Sequence, residues 1–308
     1  MSYEGYVVSR NCEECTKKMP QSITVSVLLH RMFDASPNYE GRHMTKLGII
    51  AGRGNLPVTI AKSQKNASEV FVAALANYAI TEDFKNFQAE AFNIGKVGKI
   101  LKYFQSNGVK DLIIAGAVKR PNLSDISVDM KGAILMSKIL TKKFLGDDIL
   151  LKILGDYIES EGFTIKSPLE YVNFSNIKET KSKPNKQNLR DIEYGIIAVK
   201  KLGELDIGQA VIIENGLVLG VEAAEGSDEL ISRCANYRKA EGASIFVKMI
   251  KPQQDERLDV PTVGVETIKN AAKAKMAGIA VEKGKVIILD SENIIETADK
   301  LGVFIHIF

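Results

Sequence analysis

The chain has only three histidines in 308 residues, His30, His43 and His306, and two of them fall in its first 45 residues. That scarcity excludes His-rich metallophosphatase centres and Ser-His-Asp hydrolases, whose chemistry needs imidazole as ligand or base. Any hydrolysis must run on carboxylates, amides and a hard, oxygen-ligated metal. Cysteine is equally sparse. Cys12-Glu13-Glu14-Cys15 has zinc or redox spacing, but Cys234 is the only other cysteine, and a structural zinc site takes about four ligands. Three cysteines without a pairing framework fit a reducing cytoplasm. No run approaches the ~20 apolar residues of a spanning helix, so contact with a membrane is expected to be peripheral. The net charge of +3 is too small to imply nucleic acid.

With 45% hydrophobic and 26% charged residues, the chain is long enough for two globular domains. Residues 1–45 read as an extension. The apolar run Ile23–Leu29 follows Glu4, Glu13 and Glu14, where a secretory signal carries positive charge. Met44 directly precedes a convincing first strand, so deleting residues 1–43 is expected to leave activity and melting temperature nearly unchanged. A large loss of either in the truncated protein would give the extension a structural role.

From Lys46 to about Val172 apolar strands alternate with amphipathic helices. Strands are expected at Leu47–Ala51, Val70–Leu75 and Leu112–Gly116, and helices at Pro57–Lys65 and Gly95–Asn107. A helix pair follows, the second marked by Ile149, Leu150, Ile153, Leu154, Tyr157 and Ile158 and ending at Gly162. Continuous apolar strands between helices predict a parallel sheet covered on both faces. Residues 173–190, with five cations against Glu179 alone, read as a basic linker. A second α/β unit spans 191–308. Asn215-Gly216 predicts a hairpin between Ala210–Ile213 and Leu217–Leu219. Strands are also expected at 244–248, 279–282 and 303–307, with a hairpin-like turn at Lys283-Gly284-Lys285.

The densest chemistry is in the loop from Lys248 to Thr262. It holds Lys251 just before Pro252, then Gln254, Asp255, Arg257 and Asp259 between Pro252 and Pro261. Carboxylates beside cations at a strand exit can hold a metal while the cations grip phosphate oxygens. Gly52-Arg53-Gly54-Asn55-Leu56-Pro57 follows the first strand and opens a helix. It is either a ligand-contacting turn or a plain tight turn, and Pro57 departs from the dinucleotide fingerprint. Ala117-Val118-Lys119-Arg120 leaves the third strand on the same side, to clamp a phosphate or cap the loop. Gly146-Asp147-Asp148 reads as a metal pair or as a helix end followed by a cap. Glu222–Asp228 is an N-cap carried by Ser227 or Asp228, or a second phosphate or metal cradle. Gln209, just before a buried strand, is structural or ligand-binding.

Taken in order, Leu47–Gly52, Ala115–Pro121, Gly146–Asp148, Leu205–Gln209, Val221–Asp228 and Asp259–Gly264 resemble one family over residues 46–308. It is the LpxI-type UDP-2,3-diacylglucosamine pyrophosphatases of Gram-negative lipid A biosynthesis. The resemblance implies a Rossmann-like N-terminal domain at 46–172, a smaller mixed α/β catalytic domain at 191–308, and a lipid-linked UDP-sugar bound between them. It implies magnesium-dependent cleavage to UMP and 2,3-diacylglucosamine 1-phosphate at the cytoplasmic face of the inner membrane, and admits a homodimer. Asp259 matches the family's catalytic aspartate in Val-Asp-Leu-Pro-Thr. Expected substrate contacts are Gly54, Asn55, Ala117, Val118, Lys119, Gln209, Ser227, Lys251, Gln254, Arg257 and Thr262. Expected metal ligands are Asp259, Asp255 and Glu225. A nucleotide-sugar or lipid-binding module, or a nucleotide-dependent transferase, on the same fold is the alternative.

Overall fold

The computed structural model describes residues 46–119, 126–141, 146–172 and 179–308; Arg120 and residues 1–45, with Cys12, Cys15, His30 and His43, lie outside them. In the first half, strands β1 (Leu47–Ala51), β2 (Val70–Leu75), β3 (Gln88–Phe92), β4 (Asp111–Ala115) and β5 (Thr164–Ile165) form one sheet in the order β3-β2-β1-β4-β5. Every pairing in it is parallel. β1 and β2 are buried along their whole length, as strands covered on both faces must be. One face packs on helices α2 (Val97–Ser106), α3 (Met130–Leu140) and α4 (Asp147–Ser160) through Phe104, Leu135 and Ile158. The other packs on α1 (Leu56–Ser63), with Val260 and Ile287 from the second half closing that core.

The second half contains helix α5 (Lys186–Glu204), strands β6 (Ala210–Glu214) and β7 (Leu217–Val221), helix α6 (Ser227–Cys234) and strand β8 (Ile245–Lys248). Then come β9 (Thr262–Val263), α7 (Val265–Lys273), β10 (Gly278–Val281), β11 (Ile287–Ile288), α8 (Ser291–Leu301) and β12 (Phe304–Ile307). The sheet order is β12-β10-β8-β6-β7, with β6 antiparallel to both neighbours and the remainder parallel. The Asn215-Gly216 hairpin forms with both residues at positive φ. Buried Asp191 on α5 accepts their N–H groups at 2.8 and 2.7 Å.

Three expectations are corrected. Residues 186–190 are not linker but the opening of α5, because Asn185 and Asn188 cap each other's backbone N–H groups. The turn at 283–285 closes no hairpin, since β11 pairs in parallel with β9 as a separate two-stranded ribbon. β3 was not expected at all. It is an edge strand whose Gln88-Ala89-Glu90 stretch is largely exposed, so no apolar run marks it.

Candidate functional site

The strand order of the first sheet reverses at β1, and crevices form at such switch points beyond the carboxyl ends of the strands. Here the segments leaving β1 and β4 zip together. Gly52 N–H donates to Ala115 O at 2.8 Å, and Arg53 and Ala117 exchange two hydrogen bonds of 2.9 Å. A Cβ on Gly52 or Gly116 would stand 2.8 or 2.7 Å from the opposing backbone, and Gly116 has φ +91°. Only glycine allows both the approach and the angle.

Beside this zip lies a cavity of about 560 Å³. Its polar part is built by Arg53, Gly54 and Asn55 after β1, by Ala117 and Val118 after β4, and by Gln209, Lys248, Asp259 and Thr262 from the second half. Its apolar part runs between the sheet and α2, α3 and α4, lined by residues such as Ile100, Leu135, Ile139, Leu154 and Ile158. The opening of α1, at Asn55 and Leu56, borders the cavity with the unpaired N–H groups of a helix start.

Asp259 is held from behind. Gln254 donates its amide to Asp259 Oδ2, and Gln254 Oε1 accepts the Lys251 backbone N–H at 3.2 Å. Burial raises the pKa of Asp259 above the ordinary aspartate value, opposed by the Lys248 and Lys251 charges and the Gln254 bond. Gln209 borders the same space, and its buried Oε1 has no hydrogen-bond partner.

Of the expected contacts, Gly54, Asn55, Ala117, Val118, Gln209 and Thr262 border the cavity with Asp259. Lys119, Ser227, Lys251, Gln254 and Arg257 do not. Arg257 is committed to Asp255 at 2.7 Å and to Glu159 on α4 at 2.9 Å. Lys251 is half-buried between Asp148 of α4 and Asp206, 2.6 Å from each. Gly146, not an aspartate, occupies the α4 N-cap position, and Asp148 faces a lysine rather than a metal. Burial works against the Lys251 charge, but its bonds to Asp148 and Asp206 prevail and its pKa is raised. Asp148 is shifted upward by burial, and Asp206 competes with it for the one ammonium. Ser227 is the first residue of α6, after a Gly226 N-cap, and bonds Glu222 and Lys248.

The expected metal trio is not assembled. Asp255 is taken by Arg257, which holds its carboxyl below the usual range. Glu225 accepts its own backbone N–H and pairs with Arg233, and it too is shifted down. Among the described residues no cluster of three or more His, Cys, Asp or Glu is placed to hold a metal. What remains is one carboxylate, Asp259, with the Gln209 amide beside it. That set fits magnesium in the mode where one carboxylate and substrate phosphates share the ion, not an all-protein cage.

Two charged cavity residues were not among the expected contacts. Arg53 borders it and makes no ion pair among the described residues. Lys248 was read both as the end of a strand at 244–248 and as the start of the charged loop, and it ends a wholly buried strand. A lone cation closing an apolar run is the signal that would have marked it.

Residues 46–174 match the family model described as the LpxI N-terminal domain, and residues 177–306 the one described as the LpxI C-terminal domain. The chain belongs to the LpxI family. A relative named UDP-2,3-diacylglucosamine pyrophosphatase LpxI, from Caulobacter vibrioides, is 34% identical over 271 residues, covering 85% of this chain and 97% of the relative. The two α/β halves of the fold correspond to the two LpxI domains. The zip between β1 and β4 lies in the stretch matched by the N-terminal model, and Asp259 in the stretch matched by the C-terminal one.

Proposed function

We propose that this protein hydrolyses the diphosphate of UDP-2,3-diacylglucosamine to UMP and 2,3-diacylglucosamine 1-phosphate in lipid A biosynthesis. The observation that carries the reading is the two-part cavity: a polar end around Asp259, Lys248 and Arg53 continuous with walls of aliphatic residues from α2, α3 and α4. A lipid whose head is a nucleotide diphosphate needs both ends at once. Family membership and the name of the Caulobacter relative support the same substrate.

In this reading Asp259 takes the proton of the attacking water. The water oxygen bonds to one phosphorus, the bridging P–O bond breaks, and its electron pair leaves on the departing phosphate. Burial that raises a carboxyl's pKa makes it a better proton acceptor near neutral pH. The Gln254 amide and the Val260 backbone N–H fix the direction of the carboxylate for this work. The backbone donors at the opening of α1 meet phosphate oxygens. Magnesium bound by Asp259 and the substrate phosphates would screen the diphosphate's charge.

Peripheral contact with the inner membrane, from the cytoplasmic side, is part of the proposal. No helix of the described residues is long and apolar enough to cross a membrane. Met130, Ile134 and Leu140 on α3 are exposed, while Leu135 and Ile139 of the same helix line the cavity. A helix with apolar residues on both sides suits a lipid entering from a bilayer.

The test is the full chain with labelled substrate in phospholipid vesicles, with magnesium and then with chelator. UMP release that chelator stops is expected, with the protein sedimenting with the vesicles. Release of UDP would move the assignment to a transferase, and binding without turnover to a binding module.

A further inference from the structure

Lys248 closes β8, and its residue is only 5% exposed although it borders the cavity. Its Nζ donates to Ser227 Oγ at 2.8 Å, and the Ser227 hydroxyl donates in turn to Glu222 Oε1 at 2.6 Å. Glu222 is itself 5% exposed. Its second oxygen accepts the Gln209 backbone N–H at 3.3 Å, so one buried acid fixes two residues of the cavity wall. An ammonium has three N–H donors. Ser227 takes one, and among the described residues no other side chain or carbonyl is bonded to the Lys248 ammonium. A buried cation with unmet donors is costly unless an anion completes it.

We propose that Lys248 is a catalytic residue, giving its two free N–H groups to non-bridging oxygens of the substrate diphosphate, and that Ser227 and Glu222 are positioning residues that aim it. The inference rests on the hydrolase reading above. Lys248 keeps its protons and forms no covalent bond; it stabilises negative charge as the bridging P–O bond breaks. The interposed hydroxyl has a physical purpose. A carboxylate in direct contact would quench the ammonium's field, whereas a serine relay fixes the side chain and leaves that field directed at the cavity. A lysine side chain has many rotamers, and holding it in one before substrate arrives spares that entropy loss during binding.

Lys248→Ala and the near-isosteric Lys248→Met are to be assayed for turnover and melting, so that a folding defect in one leaves the other informative. Both should lower kcat by roughly 100- to 1,000-fold, the scale of a lost oxyanion donor. Added methylammonium should restore part of the Lys248→Ala rate, and tetramethylammonium, which has no N–H, should not. Ser227→Ala should lose about tenfold in kcat with little change in KM, and Ser227→Thr should recover it. A folded Lys248 variant within about threefold of the parent kcat would overturn the proposal. Ser227→Ala turning over normally would overturn the relay. If the parent protein releases no UMP, the hydrolase reading has failed, and titration with inorganic pyrophosphate decides. A parent that binds and a Lys248→Met variant at least about tenfold weaker supports the diphosphate contact; equal binding, or none by either, overturns it.

Discussion

Asp259→Ala is expected to lower turnover by roughly two to four orders of magnitude while the protein stays folded, the scale of a lost acid–base or oriented charge group. Asp259→Asn is the sharper variant. It keeps an oxygen to accept the Gln254 amide and removes only the charge, so a catalytic carboxylate loses its rate and a loop brace does not. Stability should move the other way. Burial raises the folded-state pKa of Asp259, so the folded protein holds that proton more tightly than the unfolded chain does. The stabilisation this gives is fully present below the unfolded aspartate pKa and is lost as pH rises through the folded one. Above the folded-state pKa the ionised group therefore weakens the fold. Asp259→Asn should melt no lower than the parent at pH 7, with any gain shrinking as pH falls toward the ordinary aspartate range. The parent's kcat should decline as pH falls through the same raised pKa. Near-normal cleavage by a folded Asp259→Ala would end the assignment.

Lys251→Met is expected to be the most damaging single change to stability. Asp148 and Asp206 share its ammonium, and removal leaves two carboxylates facing each other, one with an oxygen already unpartnered. Breaking a buried pair costs roughly 3–5 kcal/mol. Turnover should fall as well, because loss of the side-chain clamp frees the 251 backbone to shift, and its N–H anchors the Gln254 that holds Asp259. Adding Asp148→Asn to Lys251→Met should recover a measurable part of the lost melting temperature. A Lys251→Met protein that melts like the parent would show that this cluster contributes nothing net.

The sheets were legible where burial is two-sided. β1, β2, β6 and β8 are unbroken or nearly unbroken apolar runs, and the Asn215-Gly216 turn announced its hairpin. β3 was hidden because an edge strand can be polar, and β9 and β11 because two residues make no pattern. At the site, the loop ending in Pro261 was recognisable as chemistry, and the structure brings Asp259 and Thr262 to the cavity. Charge type in that loop was legible, but charge partner was not. Arg257 and Lys251 were read as phosphate grips; Arg257 has one acid, Asp255, in its own loop, but Glu159 and Asp148 come from α4, about 100 positions away, and Asp206 from the turn after α5, 45 positions away. Ion pairs of such separation leave no local trace in the sequence, so the commitment of Lys251 stays hidden there.

Helix α4 serves two neighbours at once. Leu150, Leu151 and Leu154 border the aliphatic part of the cavity. Elsewhere along it the 251–259 loop is fastened at three points: Asp148 holds Lys251, Gly155 lies under Leu258, and Glu159 holds Arg257. At 1.5 Å per residue these fastenings span roughly 16 Å of helix. A loop riveted along that length cannot slide independently of the helix, so α4 works as a rail for the Asp259 carboxylate. A chain that wedges the rail outward carries Asp259 with it, and poor fit at the greasy end would then be felt as slower chemistry rather than weaker capture.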